Sequence, residues 1–283
     1  MQIDYSLFEL KPITQLNRLK RKKFQGVFFR VEKKFYLEYF PWEEFGDHSC
    51  DYVLDSIKRT KKLPPVLNQQ LRLEKDQKDI EKKVFKNHLL VKPHESIQMI
   101  SGVYKVKYLG ELNVLSKFIS SLNGKVRLDF NNALDEKTFL LFWNSLSAGD
   151  KEKIEFVEDP CCFSYKVWSK FDSAGVPLAN DFNPYQATIC RFTVFKPNRN
   201  EFLPRKNQIF SSYMGAELGQ YHAYLALMLW GDTSLYHGIV TNDIYSNQLN
   251  LFKKQDEQLY SLQHNLVEKM YSQLEEREWK NLI

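Results

Sequence analysis

The sequence predicts an α/β protein, in which a modified TIM-type (β/α) barrel with shortened βα units follows an N-terminal α+β domain. The pattern of the chain changes near residue 100. Before that point, strand-like runs form a hairpin pattern and are followed by helical stretches. After it, short apolar runs alternate with helical stretches, which is typical of a parallel sheet covered by helices. The number of such units suits a closed barrel better than an open sheet.

The elements are predicted in chain order. In the N-terminal domain we expect a hairpin over 26–40 with its turn near 32–34, a helix over 50–59 and a polar helix over 68–87. Apolar runs then predict strands at 102–110, 125–132, 153–160, 176–181, 187–197, 208–215 and 237–245. Helical patterns between them predict helices at 111–124, 135–152, 164–175 and 216–229.

We expect the α+β domain in residues 1–95, the barrel in 96–250, and a C-terminal helical segment in 251–283 that packs back on one of them. Two barrel units are short, because 22 residues separate Lys107 from Asp129 and 15 separate Asp181 from Lys196. One barrel helix is therefore expected to be reduced to a loop. The tail carries a predicted helical packing stripe, formed by Leu259, Leu262, Leu266, Met270 and Leu274.

Composition narrows the class of protein. The chain has 283 residues, 43% hydrophobic and 27% charged, with no apolar run long enough to cross a membrane and no signal-peptide pattern. Its four cysteines show no CxxC spacing, so we expect a reduced, cytoplasmic protein that is a monomer or small homo-oligomer. The net charge of +5 fits either a lysine-rich surface or an anionic partner. No nucleic-acid signature accompanies the basic run 17–23, so no nucleic-acid partner is expected.

Charged and polar side chains stand at the ends of successive predicted strands. Because side chains alternate along a strand, Lys105 and Lys107 share one face, and so do Arg127, Asp129 and Asn131. The C-terminal strand ends of a β/α barrel surround its active site. The side chains expected to converge there are Lys105, Lys107, Arg127, Asp129, Asn131, Glu158, Asp181 and Lys196.

Three carboxylates in this set predict a metal ion. Asp129, Glu158 and Asp181 would repel one another unless a cation lay between them. Oxygen ligands without histidine or cysteine favour Mg²⁺, or Mn²⁺ in its place. A lysine beside such an ion, and beside another lysine, has its pKa lowered toward neutrality. A neutral lysine removes a proton α to a carboxylate, and the metal holds the negative charge that develops.

The motifs K-x-K, D-x-N, E-D-P, a strand-end Asp and K-P, in this order, resemble the enolase superfamily. Within it the chain looks like the o-succinylbenzoate synthases over nearly its whole length. The basic loop, glycine and hairpin of residues 17–47 resemble that family's capping domain, which gives the fold its expected enolase-like form. The segments 105–110, 126–132, 154–160, 194–198 and 211–223 fall where the family's barrel strands lie.

The resemblance implies a role for each motif residue. Asp129, Glu158 and Asp181 would bind Mg²⁺. Lys107 would remove the α proton and then protonate the leaving hydroxyl in a syn dehydration that gives o-succinylbenzoate, a step of menaquinone biosynthesis. Lys196, on the opposite face, would stabilise the enediolate, and Lys105 would orient the carboxylate. The residues implied in binding a dianionic carboxylate are Arg127, Asn131, Arg18 and Lys20, with Ser211 and Ser212 receiving the succinyl carboxylate on their backbone.

The chain departs from the family pattern at several positions. The family often places Glu and then Ser after its third carboxylate, whereas this chain has "NDFN" there. "YLEYF" replaces a "GWGE"-like signature in the capping domain, and Gly215 stands where many relatives carry a glutamate. Two alternatives stay open. Paired lysines also suit a racemase or cycloisomerase, acting for instance on N-succinylamino acids or dipeptides. A non-catalytic anion-binding protein would need no Mg²⁺ and would bind in a salt-dependent way.

Overall fold

The structure is a computed structural model that describes residues 1–13, 21–77, 84–93, 101–181, 188–241, 244–246 and 248–283. Its described strands form an antiparallel four-stranded sheet, a parallel seven-stranded sheet and a second, mixed four-stranded sheet. The predicted α/β class with a separate N-terminal α+β domain is confirmed.

The N-terminal domain packs a hairpin sheet against two helices. Its elements are β1 (Ile3–Leu10), β2 (Phe24–Val31), β3 (Phe35–Tyr39), α1 (Cys50–Thr60) and α2 (Pro65–Asp76). The turn between β2 and β3 places Glu32 and Lys33 at positive φ, as the predicted hairpin requires. Ser49 caps α1 by accepting from the N–H of Tyr52, and Pro65 starts α2. We refer to this unit as the capping domain.

The barrel strands follow the capping domain. They are β4 (Phe85–Asn87), β5 (Leu89–Val91), β6 (Val103–Lys107), β7 (Lys125–Asp129), β8 (Ile154–Glu158), β9 (Leu178–Asn180), β10 (Phe192–Phe195), β11 (Gln208–Phe210) and β12 (Tyr236–His237). Strands follow at the predicted places from β6 onward, and two strands that were not predicted, β4 and β5, precede them. Strands β5 to β11 form one parallel sheet in sequence order. The helices between them are α3 (Leu112–Ser121), α4 (Glu136–Ser145), α5 (Ala148–Lys153), α6 (Tyr165–Ser173) and α7 (Glu217–Trp230).

The two edges of this sheet are bridged by β12. Gly238, directly after β12, makes a parallel bridge with Ser211 at the end of β11. On its other side β12 pairs with β4, and the N–H of His88 donates to the carbonyl of His237 at 2.8 Å. The sheet therefore curls so that β5 and β11 lie on either side of β12, and the inward side chains of all these strands face a common interior.

Several predicted elements are corrected by the structure. The helix expected over 68–87 is wrong at its end, where 85–87 forms β4. The single helix over 135–152 is two, because the Ser147 hydroxyl accepts from the N–H of Asp150 and starts α5. The short unit between Lys107 and Asp129 keeps its helix. The connection 196–207, between β10 and β11, has no helix. Residues 182–187 of the other short unit lie outside the described residues.

The C-terminal segment contributes to two sheets. It contains β13 (Phe252–Asp256), β14 (Leu259–Leu262), α8 (His264–Glu275) and β15 (Lys280–Asn281). Leu259 and Leu262 were predicted in a helix, but they lie in β14, which pairs with β4 and β13. Strand β15 pairs with β1 and so extends the sheet of the capping domain.

Glu38 of β3 links the capping domain to the barrel. Only 1% of its surface is exposed. Its carboxylate accepts from the N–H groups of Ala216 at 2.9 Å and Gly219 at 2.7 Å. These two N–H groups lie at the start of α7 and have no partner within the helix. The N-cap residue of α7 makes no side-chain hydrogen bond to them. Glu38 lies in the "YLEYF" stretch that departs from the family pattern, and it occupies the space beside Gly215.

Gly215→Ala is expected to destabilise the fold by about 1–3 kcal/mol. A Cβ at this position would lie 2.0 Å from Oε1 of Glu38 and 3.2 Å from Cβ of Phe40. The alanine would displace the carboxylate that caps α7. The free energy of unfolding from urea denaturation measures the effect. Gly149→Ala is the control, since a Cβ there meets nothing within 4 Å; equal stability of both variants would contradict the prediction.

Candidate active site

The motif residues are brought together by the register of adjacent strands. Lys107 of β6 pairs with Asp129 of β7, which in turn pairs with Glu158 of β8. Glu158 pairs with Ala179 of β9, two residues before Asp181. Alternate side chains, such as Val106 and Leu128, pack outward against the helices. The inward positions are therefore left to the charged side chains that were singled out in the sequence.

Lysines lie between the carboxylates. Nζ of Lys105 donates to Oε2 of Glu158 at 2.6 Å and lies 3.1 Å from Oδ2 of Asp129. Nζ of Lys107 lies 4.0 Å from the same Asp129 oxygen. Lys196 forms an ion pair with Asp181. All six side chains are largely buried, so these pairs are poorly screened by water.

The environment separates the two lysines of K-x-K. Burial alone would lower the pKa of Lys105, but the carboxylates of Asp129 and Glu158 outweigh it and raise this pKa above its ordinary value. For Lys107, burial lowers the pKa, and the charges of Lys105 and Lys196 add to this against the attraction of Asp129. Lys105 is therefore a fixed cation, whereas Lys107 more readily loses its proton.

Carboxyl groups are crowded around these lysines. Glu158 is followed by Asp159, which is also buried and lies at positive φ. Burial and the negative charges of Asp129 and Asp181 raise the pKa of Glu158 to about 7, although the positive charge of Lys105 acts to lower it. Burial and the neighbouring carboxylates also hold the pKa of Asp159 well above its usual range. Crowded carboxylates with raised pKa values provide an environment that a further cation would stabilise.

The carboxylates fit a divalent cation by their chemistry. Oδ1 of Asp181 is buried and accepts no hydrogen bond from the described residues. Lys105 takes the place between Asp129 and Glu158 where positive charge is needed. As they stand, no three acidic, histidine or cysteine side chains of the described residues form a ready set of metal ligands. Metal binding would therefore require these side chains to shift around the ammonium group of Lys105.

The two candidate catalytic lysines enter the site from different sides. Lys107 lies on β6 and Lys196 follows β10, with three strands between them. Nζ of Lys107 lies 3.7 Å from the thioether sulfur of Met214. Nζ of Lys196 lies 5.6 Å from the ring centre of Tyr213. A substrate held between β6 and β10 would therefore face one lysine on each side.

The capping domain closes one side of the cavity at these strand ends. Nε1 of Trp42 donates to the carbonyl of Tyr213 at 3.1 Å, and Arg199 pairs with Asp47 at 3.2 Å. The residues lining the cavity include Trp42, Phe45, His88, Leu90, Lys105, Lys107, Asp129, Asn131, Asp159, Asp181, Lys196, Arg199, Ser211, Ser212, Tyr213, Met214, Gly238 and Thr241.

The predicted substrate contact through Arg127 is not supported. Its side chain is fully buried and does not line the cavity. Its guanidinium donates to Glu155 at 2.6 Å and lies 4.8 Å from the ring centre of Phe156. Strand alternation correctly predicted the face of β7 on which Arg127 lies. It could not show that Arg127 lies one layer of side chains below the cavity, because alternation along a strand does not give the depth of a cavity.

The other expected substrate-binding residues fall into two groups. Asn131, Ser211 and Ser212 line the cavity. The backbone N–H groups of the two serines are committed, however: Ser211 donates to Phe195 and Ser212 to Gly238. In this conformation the serine hydroxyls also make hydrogen bonds, to Gly238 and, from Ser212, to Thr241. The binding of a carboxylate by this backbone stays a prediction. Arg18 and Lys20 lie outside the described residues.

Sequence reasoning missed His88 and Arg199 in the cavity lining. His88 comes at the start of the apolar run 88–91 and shares a face with Leu90, which is the only signal that could have indicated it. His222 pairs with Glu74 at 3.0 Å inside the interface between α2 and α7, and His237 lies fully buried in β12.

Stability is expected to fall as the pH drops from about 6.5 to 4, in part because of His237. Its Nδ1 accepts from the N–H of Phe210, and burial lowers its pKa to about 4. As the pH falls, the unfolded chain binds a proton on this histidine at a higher pH than the folded protein does. The stabilisation present above pH 6.5 is therefore lost on acidification, by up to about 3 kcal/mol. Urea unfolding at pH 7 and pH 4.5 should show a smaller difference for His237→Asn. His48→Asn, at an exposed histidine, should retain the full wild-type difference.

The chain is similar to known proteins in its N-terminal region and along most of its length. Residues 3–79 match the model of the family described as "O-succinylbenzoate synthase, N-terminal domain". A protein named o-succinylbenzoate synthase from Bdellovibrio bacteriovorus is 26% identical over 288 residues, covering 87% of each chain. The part of the chain that the structure describes contains no helix long and apolar enough to span a membrane.

Solved structures show the same fold. A member of the enolase superfamily from Roseovarius nubinhibens ISM, complexed with magnesium, aligns with a TM-score of 0.69 at 12% identity, covering 93% of this chain and 92% of that one. The o-succinylbenzoate synthase of Thermosynechococcus elongatus BP-1, with Mg in its active site, aligns with a TM-score of 0.67 at 15% identity, covering 96% of this chain and 100% of that one. The L-Ala-D/L-Glu epimerase of Bacillus subtilis aligns with a TM-score of 0.64 at 11% identity, covering 93% of this chain and 96% of that one.

The fold is therefore that of the enolase superfamily, with a capping domain and a curled parallel sheet whose strand ends carry the charged side chains. Within that class, the resemblance to o-succinylbenzoate synthases is confirmed, by the matched N-terminal domain and by the relative from Bdellovibrio bacteriovorus.

Proposed function

We propose that the protein is a Mg²⁺-dependent o-succinylbenzoate synthase, a lyase that dehydrates a succinyl-hydroxycyclohexadiene carboxylate in menaquinone biosynthesis. The observation that carries the proposal is the placement of Lys107 and Lys196 on different sides of a cavity lined by Asp129 and Asp181, with Glu158 next to Asp129 in register. The matched N-terminal domain and the similarly named relative support the choice of reaction within the superfamily. We expect it to act in the cytoplasm as a monomer or small homo-oligomer.

In this reaction Lys107 removes the proton α to the substrate carboxylate. Its lowered pKa raises the fraction of neutral amine. The C–O bond then breaks, and the proton held on Nζ of Lys107 passes to the departing hydroxyl, so that water leaves and the ring becomes aromatic. Because one group both takes and returns the proton, hydrogen and hydroxyl leave from the same face.

The remaining charged residues bind and orient. Lys196 presents its ammonium to the other face of the ring, where cation–π attraction and charge stabilise the anion. Lys105 keeps its proton and holds Glu158 and Asp129 in place. Asp129, Glu158 and Asp181 would hold the Mg²⁺, with Mn²⁺ as a substitute. When bound, the ion supplies positive charge for the carboxylate oxygens as the α carbon loses its proton.

The proposed function is tested by turnover of the cyclohexadiene precursor, followed by its absorbance, with Mg²⁺ and again with EDTA. Metal-dependent turnover is the expected result. A folded protein that does not turn over this substrate in saturating Mg²⁺ would contradict the proposal.

A racemase or epimerase is the second candidate. It is favoured by the paired lysines and by the structural likeness to the L-Ala-D/L-Glu epimerase. In that reaction Lys196 would deliver a proton to the face opposite Lys107, and no hydroxyl would leave. Exchange of the α proton of an N-succinylamino acid in D₂O distinguishes the two. A non-catalytic anion-binding protein would show neither turnover nor exchange.

A further inference from the structure

His88 is a buried polar side chain in the cavity to which neither the sequence motifs nor the reaction assigns a role. It stands between β4 and β5 with 8% of its surface exposed, and its ring lines the cavity beside Leu90. Its backbone N–H donates to His237 and its carbonyl accepts from Asn87. The backbone is therefore fixed on both sides, and only the ring remains to be explained.

The proton on this ring is placed by Arg127. An N–H of the Arg127 guanidinium lies 3.1 Å from Nδ1 of His88. A guanidinium has only donors, so Nδ1 must be the acceptor and the proton of the neutral ring must lie on Nε2. Arg127 is itself held by Glu155 at 2.6 Å and by the carbonyl of Tyr236 at 2.8 Å. The tautomer and the ring orientation are thus set by a rigid chain of contacts.

The ring remains neutral at physiological pH. Burial lowers its pKa well below the ordinary value, and the charges of Arg127, Lys105, His237 and Lys107 lower it further. His88 therefore offers a hydrogen-bond donor without offering a transferable proton. This distinguishes it from the lysines of the same cavity, which carry charge.

The Nε2–H group has no acceptor among the residues that the structure describes. The only ring contact recorded there is the one from Arg127 to Nδ1. Gly238 leaves the space that the ring needs, because a Cβ there would lie 2.7 Å from Cε1 and 2.9 Å from Nε2 of His88. The same Cβ would lie 2.9 Å from Oγ of Ser211. An oxygen atom of a bound ligand would supply the acceptor for this N–H group.

The position in the barrel identifies which end of a ligand would reach this donor. The candidate metal ligands lie on β7, β8 and β9. His88 adjoins β5, and Ser211 and Gly238 adjoin β11 and β12, so these residues form the wall opposite the carboxylates. A substrate whose reacting carboxylate faces Asp129 and Glu158 therefore extends its other end toward His88.

We propose that His88 is a substrate-binding residue, whose Nε2–H donates to an oxygen of the succinyl arm of the substrate. Arg127 acts through it as a positioning residue. The inference rests on the proposed function, and it adds a specific acceptor: a carbonyl or carboxylate oxygen distant from the carbon that loses its proton. It also explains the placement of Arg127, which was expected to touch the substrate itself.

Two substitutions separate the two sides of the ring. His88→Gln places an amide N–H near the position of Nε2 and keeps the donor to the substrate. His88→Asn places an amide oxygen near Nδ1, keeping the acceptor for Arg127 while losing the donor. Thermal unfolding of both variants checks that the fold is retained. Calorimetric binding of o-succinylbenzoate and of benzoate, which lacks the succinyl arm, then gives the readout, together with KM and kcat for the precursor.

We expect His88→Asn to weaken o-succinylbenzoate binding and raise KM about tenfold, as for loss of one hydrogen bond, with a much smaller change in kcat. His88→Gln should remain within about threefold of the wild type, and benzoate should bind all three proteins alike. Unchanged o-succinylbenzoate binding by both variants would overturn the role of His88 while leaving the proposed function in place. Wild-type protein that neither binds nor forms o-succinylbenzoate would overturn both.

Discussion

Lys107→Ala should reduce turnover of the precursor at least about 1,000-fold. A general acid–base group contributes roughly 10²–10⁴ to a rate, and here the same side chain takes the proton and returns it. The same substitution should stop exchange of the α proton in D₂O, because Lys105, the other amine beside Asp129, stays protonated in its ion pairs with Asp129 and Glu158. Lys196→Ala should also remove turnover.

The stability of Lys107→Ala provides an internal check. Nζ of Lys107 is buried, and its only nearby carboxylate among the described residues is Asp129, at 4.0 Å. Its burial lowers the pKa, which means that the charged form is destabilised in the folded protein. The variant should therefore unfold at a temperature no lower than the wild type.

Lys166→Ala, at an exposed lysine of α6, is the matched control for turnover. Near-native turnover by Lys107→Ala would show that another group is the base.

Glu158→Gln should abolish the stabilisation of the protein by Mg²⁺. A ligand that binds only the folded state raises its stability by about 2.7 kcal/mol at a concentration 100 times its Kd. We expect the unfolding temperature of the wild type to rise with MgCl₂ at constant ionic strength, and that of Glu158→Gln to stay constant. Turnover should fall at least about 100-fold in the same variant.

The reason lies in the arrangement of charge. Glu158 and Asp129 are adjacent in register and share the ammonium of Lys105. Glutamine keeps the shape of the side chain but removes one of the negative charges that would attract the ion. Glu152→Gln, at an exposed glutamate of α5, is the control and should keep the full response to MgCl₂. An unchanged response in Glu158→Gln would exclude this residue as a ligand.

The residues predicted with most success are those whose position depends on strand alternation alone. Once β6 and β7 are recognised, alternation requires that Lys105 and Lys107 face the same way, and that Asp129 faces the same way as Arg127. The parallel pairing of consecutive strands then places these side chains side by side. No long-range information is needed for this step, which is why a single sequence suffices.

The errors occur where distant segments decide the outcome. Leu259 and Leu262 fit a helical spacing, yet they form β14 because β4, far earlier in the chain, offers it an edge. His88 acquires its fixed tautomer only through Arg127, 39 residues later. Glu38 acquires its role through α7, about 180 residues later. None of these partners is visible in the local pattern of the sequence.

The pairing of β15 with β1 has a consequence for how the protein forms during synthesis. Residues 280–281 complete the sheet that begins at residue 3, and the backbone of Leu282 donates to Ile3 at 2.8 Å. The ribosome makes the strand that borders β1 only after the whole barrel, which at about 5–20 residues per second takes roughly 15–60 s. Throughout that interval one edge of the first sheet is unpaired and open to pairing with another nascent chain. The capping domain thus begins before the barrel in the chain but is completed only after it.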